Sequence, residues 1–287
     1  MKLLNTQNIL IVGLGLMGGS YAKALKRLDF HIMAIDTNAD SIDYALENGI
    51  IDEGYTSPEP EIINKADTVI FGLYPAVFKK WINDNQQHFK SGAIITDVTG
   101  VKGCIVYDIQ NILRDDVEFI AAHPMAGREV YGVRNSTEKM FRDANFLVVP
   151  TDKNTPEAIE WCKELGRLLG FVNVTVLSPE EHDRMIGFVS QLTHCIAVSL
   201  MTCSDNTHLA DYTADSFRDL TRIANINEVM WSELFLLNKD ALLADIDRFT
   251  SELGIIRNMI EKDDRDGLKE KMKLSTERRA AFNKRKD

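Results

Sequence analysis

The run Gly13-Leu14-Gly15-Leu16-Met17-Gly18 constrains this chain more than any other feature. It follows at once on the apolar stretch Asn8-Ile9-Leu10-Ile11-Val12 and leads into residues 20–28, which carry a helical pattern. A Gly-x-Gly-x-x-Gly turn between a strand and a helix suits a dinucleotide pyrophosphate. The first glycine makes the tight turn, the second lets backbone approach the phosphates, and the third lets the helix pack on the sheet. The amides around Leu14, Leu16 and Met17 then face the phosphates at the positive end of the helix dipole. Alone, such a run also fits an ordinary strand-to-helix turn. The next strand-like segment, residues 31–35, decides in favour of a dinucleotide because it ends at Asp36. A carboxylate there accepts both ribose hydroxyls, and Thr37 beside it brings no arginine for a 2′-phosphate. The expected cofactor is NAD rather than NADP. A flavin uses the same turn, but no second flavin signature accompanies it.

Short apolar runs at residues 8–12, 31–35, 68–72, 93–96, 118–122, 146–149 and 172–176 alternate with amphipathic stretches, the pattern of βαβ units. At Ser178-Pro179-Glu180-Glu181 the pattern changes: serine caps, proline suits the first helical position and Glu181 completes a capping box. Beyond it strand signals fade. The expected fold is α/β: a Rossmann-type dinucleotide-binding domain with a mostly parallel sheet over residues 1–178, then an all-α domain over 179–287. The helix that starts at Pro179 is apolar on most of its circumference to about Cys203 and is expected to be buried. Further helices are expected over 228–238 and 240–260, and the charged stretch 262–287 as a solvated helix or frayed end.

With 45% apolar residues the chain can bury a full core. Its formal charge of −10 disfavours a nucleic-acid partner, and an anionic substrate must be met by a few local cations. Four scattered cysteines, without a Cys-x-x-Cys pair or a secretory leader ahead of the first strand, point to a reducing, cytosolic location. Apolar runs are broken short of the ~20 residues that span a bilayer, so no membrane partner is expected. No metal site is expected either.

Open parallel sheets bind ligands at the carboxyl ends of their strands. Two segments there carry chemistry: Thr96-Asp97-Val98-Thr99-Gly100-Val101-Lys102-Gly103, and His123-Pro124-Met125-Ala126-Gly127-Arg128-Glu129. His123 closes an apolar strand, and an imidazole titrating near neutrality suits taking a proton from an alcohol as hydride leaves the same carbon. The plainer reading is a strand-end histidine bonded to loop backbone. On the helix after Ser178, a step of about 100° per residue puts Asp183, Gly187, Ser190 and His194 within about 60° of one another, a polar strip satisfied either structurally or by a ligand.

Together with Ser178-Pro179-Glu180-Glu181-His182-Asp183 and Phe217-Arg218-Asp219-Leu220-Thr221-Arg222-Ile223-Ala224, these segments occur in the order seen in prephenate and arogenate dehydrogenases, and the chain resembles that family from Asn8 to about Ile260. The resemblance implies oxidative decarboxylation of prephenate to 4-hydroxyphenylpyruvate in tyrosine biosynthesis, or of arogenate to tyrosine. It implies His123 as the catalytic group, Arg222 as the grip on a substrate carboxylate, His194 as a substrate contact, and Asp183 and Glu129 in an ionic network near Arg222. It also implies a homodimer formed through the C-terminal helices, whose apolar surface argues the same way. Any feedback by tyrosine is expected to act at the active site. Two departures stand out. Relatives often carry serine where this chain has Gly100, leaving Thr99 as the nearest hydroxyl for the cofactor side. Many have histidine where this chain has Gln191, which is taken as the substrate-side group there. Among other readings, a β-hydroxy acid dehydrogenase would place a lysine on the first long helix of the second domain, and this helix has none. A non-catalytic NAD-binding scaffold would lose the catalytic groups, and only Gly100 leans that way.

Overall fold

The computed structural model describes residues 6–281. Its principal sheet has six parallel strands in the order β3-β2-β1-β4-β5-β6. These are β1 (Asn8–Val12), β2 (His31–Ile35), β3 (Glu53–Tyr55), β4 (Thr68–Phe71), β5 (Ile94–Asp97) and β6 (Glu118–Phe119). The order reverses between β1 and β4, the switch point at which a doubly wound sheet opens a crevice for a dinucleotide. Strand β3 was not expected: Glu53-Gly54-Tyr55 has no apolar alternation, and it is a strand only because it pairs with β2.

Alternation along β1 shows how the core is divided. Ile9 and Ile11 join one buried cluster with Tyr21 and Leu25 of α1 (Leu16–Lys26), Ile42 of α2 (Ala39–Glu47), and Trp161 and Leu165 of α6 (Pro156–Leu168). Leu10 and Val12 join the other, with Ile62 of α3 (Pro60–Lys65), Phe78 and Ile82 of α4 (Pro75–Asn85), and Ile109 of α5 (Val106–Ile112). Strands buried on both faces need such continuous apolar runs, which is why they were visible in the sequence.

The stretch expected as one strand over 118–122 is two. Strand β6 ends at Phe119, and β7 (Ala121–Met125) starts a second sheet, β7-β8-β9, in which β8 (Asn145–Val149) runs antiparallel to β7 and parallel to β9 (Asn173–Val176). Between them Ile120 still donates its amide to Ile95 O at 2.9 Å, so the ladder to β5 continues through the change of sheet.

Beyond Ser178 the regular structure is helical. The capping box closes as read: Ser178 Oγ accepts from Glu181 N at 3.2 Å and Glu181 Oε2 from Ser178 N at 3.3 Å. Helix α7 (Pro179–Ile186) continues through a wide π-type turn, Gly187–Gln191, into α8 (Leu192–Thr202). Burial corrects the expectation here. Pro179, His182, Ile186, Gln191, Leu192 and Ala197 are covered, but Met185, Phe188, Val189 and Met201 are 40–49% exposed. The span Pro179–Thr202 is also long and apolar enough, by length and composition alone, to cross a bilayer, with a mean hydropathy of 1.4, which the shorter runs counted from sequence understated. Short helices α9 (Leu209–Tyr212) and α10 (Asp215–Thr221) and the longer α11 (Glu228–Leu237) follow.

By compactness the chain divides into Met1–Asn238 and Lys239–Asp287. The second unit consists of α12 (Lys239–Glu261) and α13 (Arg265–Ala280), which fold back on each other and are tied by a Lys271–Glu252 ion pair. Asp264 caps α13 by accepting from Gly267 N at 2.9 Å. The expected charged tail is thus helical as far as Ala280, and residues 282–287 lie outside those described.

Candidate active site

At the switch point Gly13 has φ +96° and donates its amide to Ile35 O at 2.8 Å. Gly18 packs so tightly that a Cβ on it would fall 1.9 Å from Gly13 O, whereas a Cβ on Gly15 would meet nothing within 4 Å. The turn is therefore rigid on its protein side and open at Gly15, where a pyrophosphate needs room. Leu14 lies in the turn, and Leu16 and Met17 open α1, where helix amides have no acceptor within the helix. Asp36 closes β2 and braces the turn from below, accepting from Leu14 N at 2.6 Å and Asn38 N at 2.8 Å. Each carboxylate oxygen keeps a further lone pair for a ribose hydroxyl. Thr37 is exposed beside it. These residues fit NAD. Asp36→Ala is expected to reduce the preference for NAD over NADP by about 10- to 100-fold, the worth of charge-assisted hydrogen bonds. The ratio of kcat/KM for the two cofactors measures it, and an unmoved ratio would place the deciding group elsewhere.

The carboxyl end of β5 holds a charge pair that sequence reading passed over. Lys102 Nζ donates to Asp97 Oδ2 at 2.6 Å, and both side chains have no exposed surface. Lys102 Nζ also reaches Ala122 O at 2.6 Å, and Asp97 Oδ1 accepts from Ala122 N at 3.2 Å. This pair clamps β7 to the end of β5 one residue before His123. Thr99 belongs to the same knot. Its hydroxyl bonds Asp97 and lies 3.0 Å from Val101 O, and Lys102 Nζ donates to it at 3.1 Å. Only 4% exposed, it faces this knot and not the cofactor side for which it was named.

His123 lies inside β7, opposite Leu147 of β8, and not just past a strand end as expected. It is partly buried. Its Nδ1 sits 2.9 Å from His182 Nε2, and His182 Nδ1 is 2.7 Å from Asp183 Oδ1. Burial, then the neighbouring His182 and Lys102, push the His123 pKa well below its ordinary value, so the ring is neutral at physiological pH. Burial lowers His182 as well, with Asp183 partly opposing. Asp183 was expected near Arg222, but it turns the other way and accepts from the amides of Lys102 at 2.8 Å and Gly103 at 2.7 Å. Burial works against its ionisation, yet the hydrogen bonds from His182 and these amides hold its carboxyl below the usual range.

A second group gathers on the helical side. Arg222, just after α10, forms an ion pair with Glu129 from the loop beyond β7. His194 on α8 stacks on Trp231 of α11 with ring centroids 3.6 Å apart, and its Nδ1 lies 2.9 Å from Ser190 O. Burial lowers its pKa, while the charges of Glu129 and Arg222 pull it in opposite directions, which sets the three residues in one neighbourhood. Gln191 is a correction. Only 1% exposed, it donates to Leu234 O at 2.9 Å and accepts from Asn238 Nδ2 at 2.7 Å, so its amide is buried in fastening α11 to the π-type turn and is not presented to a substrate. Gly100 adjoins the same helix: a Cβ there would come 3.3 Å from Leu234 Cδ1.

Lys102, Asp97 and His182 are the residues that sequence reasoning quoted without giving a role. A lysine set among Gly100, Val101, Gly103, Cys104 and Ile105 was a signal, because an amine in so apolar a stretch needs a buried partner.

Residues 21–175 match the family profile described as the nucleotide-binding domain of prephenate dehydrogenase, and residues 178–274 match that of its dimerization domain. The chain belongs to the prephenate dehydrogenase family. The prephenate dehydrogenase of Bacillus subtilis is 31% identical over 272 residues, covering 91% of this chain and 72% of that protein. The cyclohexadienyl dehydrogenase of Zymomonas mobilis is 29% identical over 285 residues, covering 96% of each. Among solved structures, the prephenate dehydrogenase of Aquifex aeolicus in complex with hydroxyphenyl propionate and NAD+ superposes with a TM-score of 0.88 at 32% identity, over 98% of this chain and 100% of that one. Membership makes this family chain an NAD-dependent oxidoreductase and accounts for the switch-point turn and Asp36 together.

Proposed function

We propose that this chain oxidises and decarboxylates prephenate to 4-hydroxyphenylpyruvate in tyrosine biosynthesis, with His123 as the general base. The observation that carries the reading is the partly buried imidazole of His123 set one residue past Ala122, whose backbone Lys102 and Asp97 clamp at the carboxyl end of the nucleotide sheet. NAD, when bound, supplies the hydride acceptor. His123 takes the proton of the ring hydroxyl as hydride leaves C4, and the ring carboxylate departs as carbon dioxide while its bonding electrons complete the aromatic ring. The proton held on His123 can then return to the phenolic oxygen. A neutral base needs no prior deprotonation at physiological pH, which suits this step.

Arg222 is the proposed grip on the substrate side-chain carboxylate. Its side chain is 64% exposed and paired with Glu129, and a pair so exposed is worth little, so a dianionic substrate can displace the glutamate. Arg222→Gln is expected to raise KM for prephenate by about 10- to 100-fold, the loss of charge-assisted hydrogen bonds, with a smaller change in kcat. An unaltered KM would remove Arg222 from the substrate site. His194, beside Arg222 and Glu129, is the proposed further substrate contact.

In this reading residues 1–178 bind NAD, and residues 179–287 contact substrate and associate with a second copy. Met185, Phe188, Val189, Val229 and Leu236 are exposed apolar side chains of these helices, which a homodimer would cover. Light scattering is expected to give twice the 32.4 kDa chain mass; a monomer in dilute solution would count against it. The same helix that could by length cross a bilayer carries His182 and Asp183 at the site, and in this reading it is part of a cytosolic enzyme. Its four free thiols agree with a reducing compartment.

The test of the function is steady-state formation of reduced cofactor with prephenate and arogenate side by side. Turnover of prephenate supports the reading, a clear preference for arogenate moves it to that acid, and silence with both leaves only a nucleotide-binding scaffold.

A further inference from the structure

We infer that His182, held by Asp183, is a positioning residue that fixes the tautomer of His123, keeping the proton on Nδ1 and the lone pair on Nε2. The inference rests on the proposed role of His123 as base, but the geometry behind it does not involve a substrate.

The chain of donors and acceptors has one consistent direction. Asp183 is anchored by two backbone amides, from Lys102 into Oδ1 and from Gly103 into Oδ2, and an ionised carboxylate only accepts. His182 Nδ1, 2.7 Å from Oδ1, therefore carries a proton. In a neutral ring that leaves His182 Nε2 as an acceptor, and the atom 2.9 Å away, His123 Nδ1, must donate. The remaining ring nitrogen of His123, Nε2, is then the bare one. His182 has no exposed surface, so water cannot substitute for either partner. The charged groups nearest the two rings are Lys102, Asp97 and Asp183, and the first two are tied to each other. Gly100, in the loop after β5, offers no hydroxyl that could hold Nδ1 instead.

The helix is built to hold this direction. Asn238 Nδ2 donates to Asp183 O at 2.8 Å, and the Ser178 capping box fixes the first turn of α7, so His182 and Asp183 sit on an anchored segment. A catalytic histidine with a wrong tautomer presents a proton where it must accept one, so orientation through the second ring nitrogen is worth orders of magnitude in turnover.

Long-range nitrogen–proton NMR on the whole protein reads the tautomer directly and needs no substrate. Free of ligand at neutral pH, His123 is expected to show a protonated Nδ1 and an unprotonated Nε2. A protonated Nε2 in the native protein overturns the inference. His182→Gln keeps the polarity, since its amide can donate to Asp183 and its carbonyl accept from His123, and is expected to retain the tautomer and turnover within about threefold. His182→Leu removes both bonds and is expected to lose the single tautomer and about 10- to 100-fold in kcat, with KM for NAD unchanged. A His182→Leu protein with native tautomer and native kcat would overturn the role. If neither cyclohexadienyl acid is turned over while the native tautomer is as described, the substrate reading fails and the positioning role stands.

Discussion

Replacing His123 with asparagine is expected to lower turnover of prephenate by about 10²–10⁴-fold, the usual worth of a general base, while NAD still binds. The size follows from what the substitution removes. Asparagine keeps a polar group near His182 but has no nitrogen that can take a proton, so the hydroxyl would have to lose its proton to water while hydride leaves. Cofactor affinity should be preserved, because Gly13, Gly18 and Asp36 are held by Ile35, Gly13 and Leu14 without help from β7. Steady-state rates with calorimetric NAD binding separate the two effects. Equal turnover in the variant would strip His123 of its role.

Lys102→Met is expected to cost about 3–5 kcal/mol of folding stability, the penalty for leaving a buried partner charged and unpaired. Asp97 has no exposed surface, and it would keep only the amides of Thr99 and Ala122 and the Thr99 hydroxyl. Denaturant titration measures the loss. Removing the partner as well, in an Asp97→Asn/Lys102→Met double variant, should recover a large part of it, since two neutral groups no longer demand pairing. A single variant as stable as the parent would mean the pair does not clamp the site. Burial pulls the Lys102 ammonium down and Asp97 holds it up, which is the balance the substitution disturbs.

The nucleotide half was legible because its signals are local. Five of the six main-sheet strands announced themselves as apolar runs, and the glycine turn and Asp36 are tied to strand ends by sequence alone. What sequence could not show depends on contacts across long separations. Strand β3 exists through its pairing with β2, and the split at Ile120 through the competing edges of β5 and β8. Helical phase predicted that Asp183 and His194 share a strip, but the amides of Lys102 and Gly103, some eighty residues earlier, draw Asp183 toward β5 while His194 stacks on Trp231. Thr99 and Gln191 were plausible for ligands by type. Both are buried and engaged inside the protein, by Asp97 and Lys102 in one case and by Leu234 and Asn238 in the other.

The passage from β6 into β7 through Ile120 has a mechanical meaning. The backbone that borders the nucleotide sheet is the same ribbon that bears His123, bonded to β5 on both sides of the change, so the two cannot swing apart. Asp183, bonded to the amides of Lys102 and Gly103, ties the helix that bears His182 to the same end of β5, so the two imidazoles travel as one body with that ribbon.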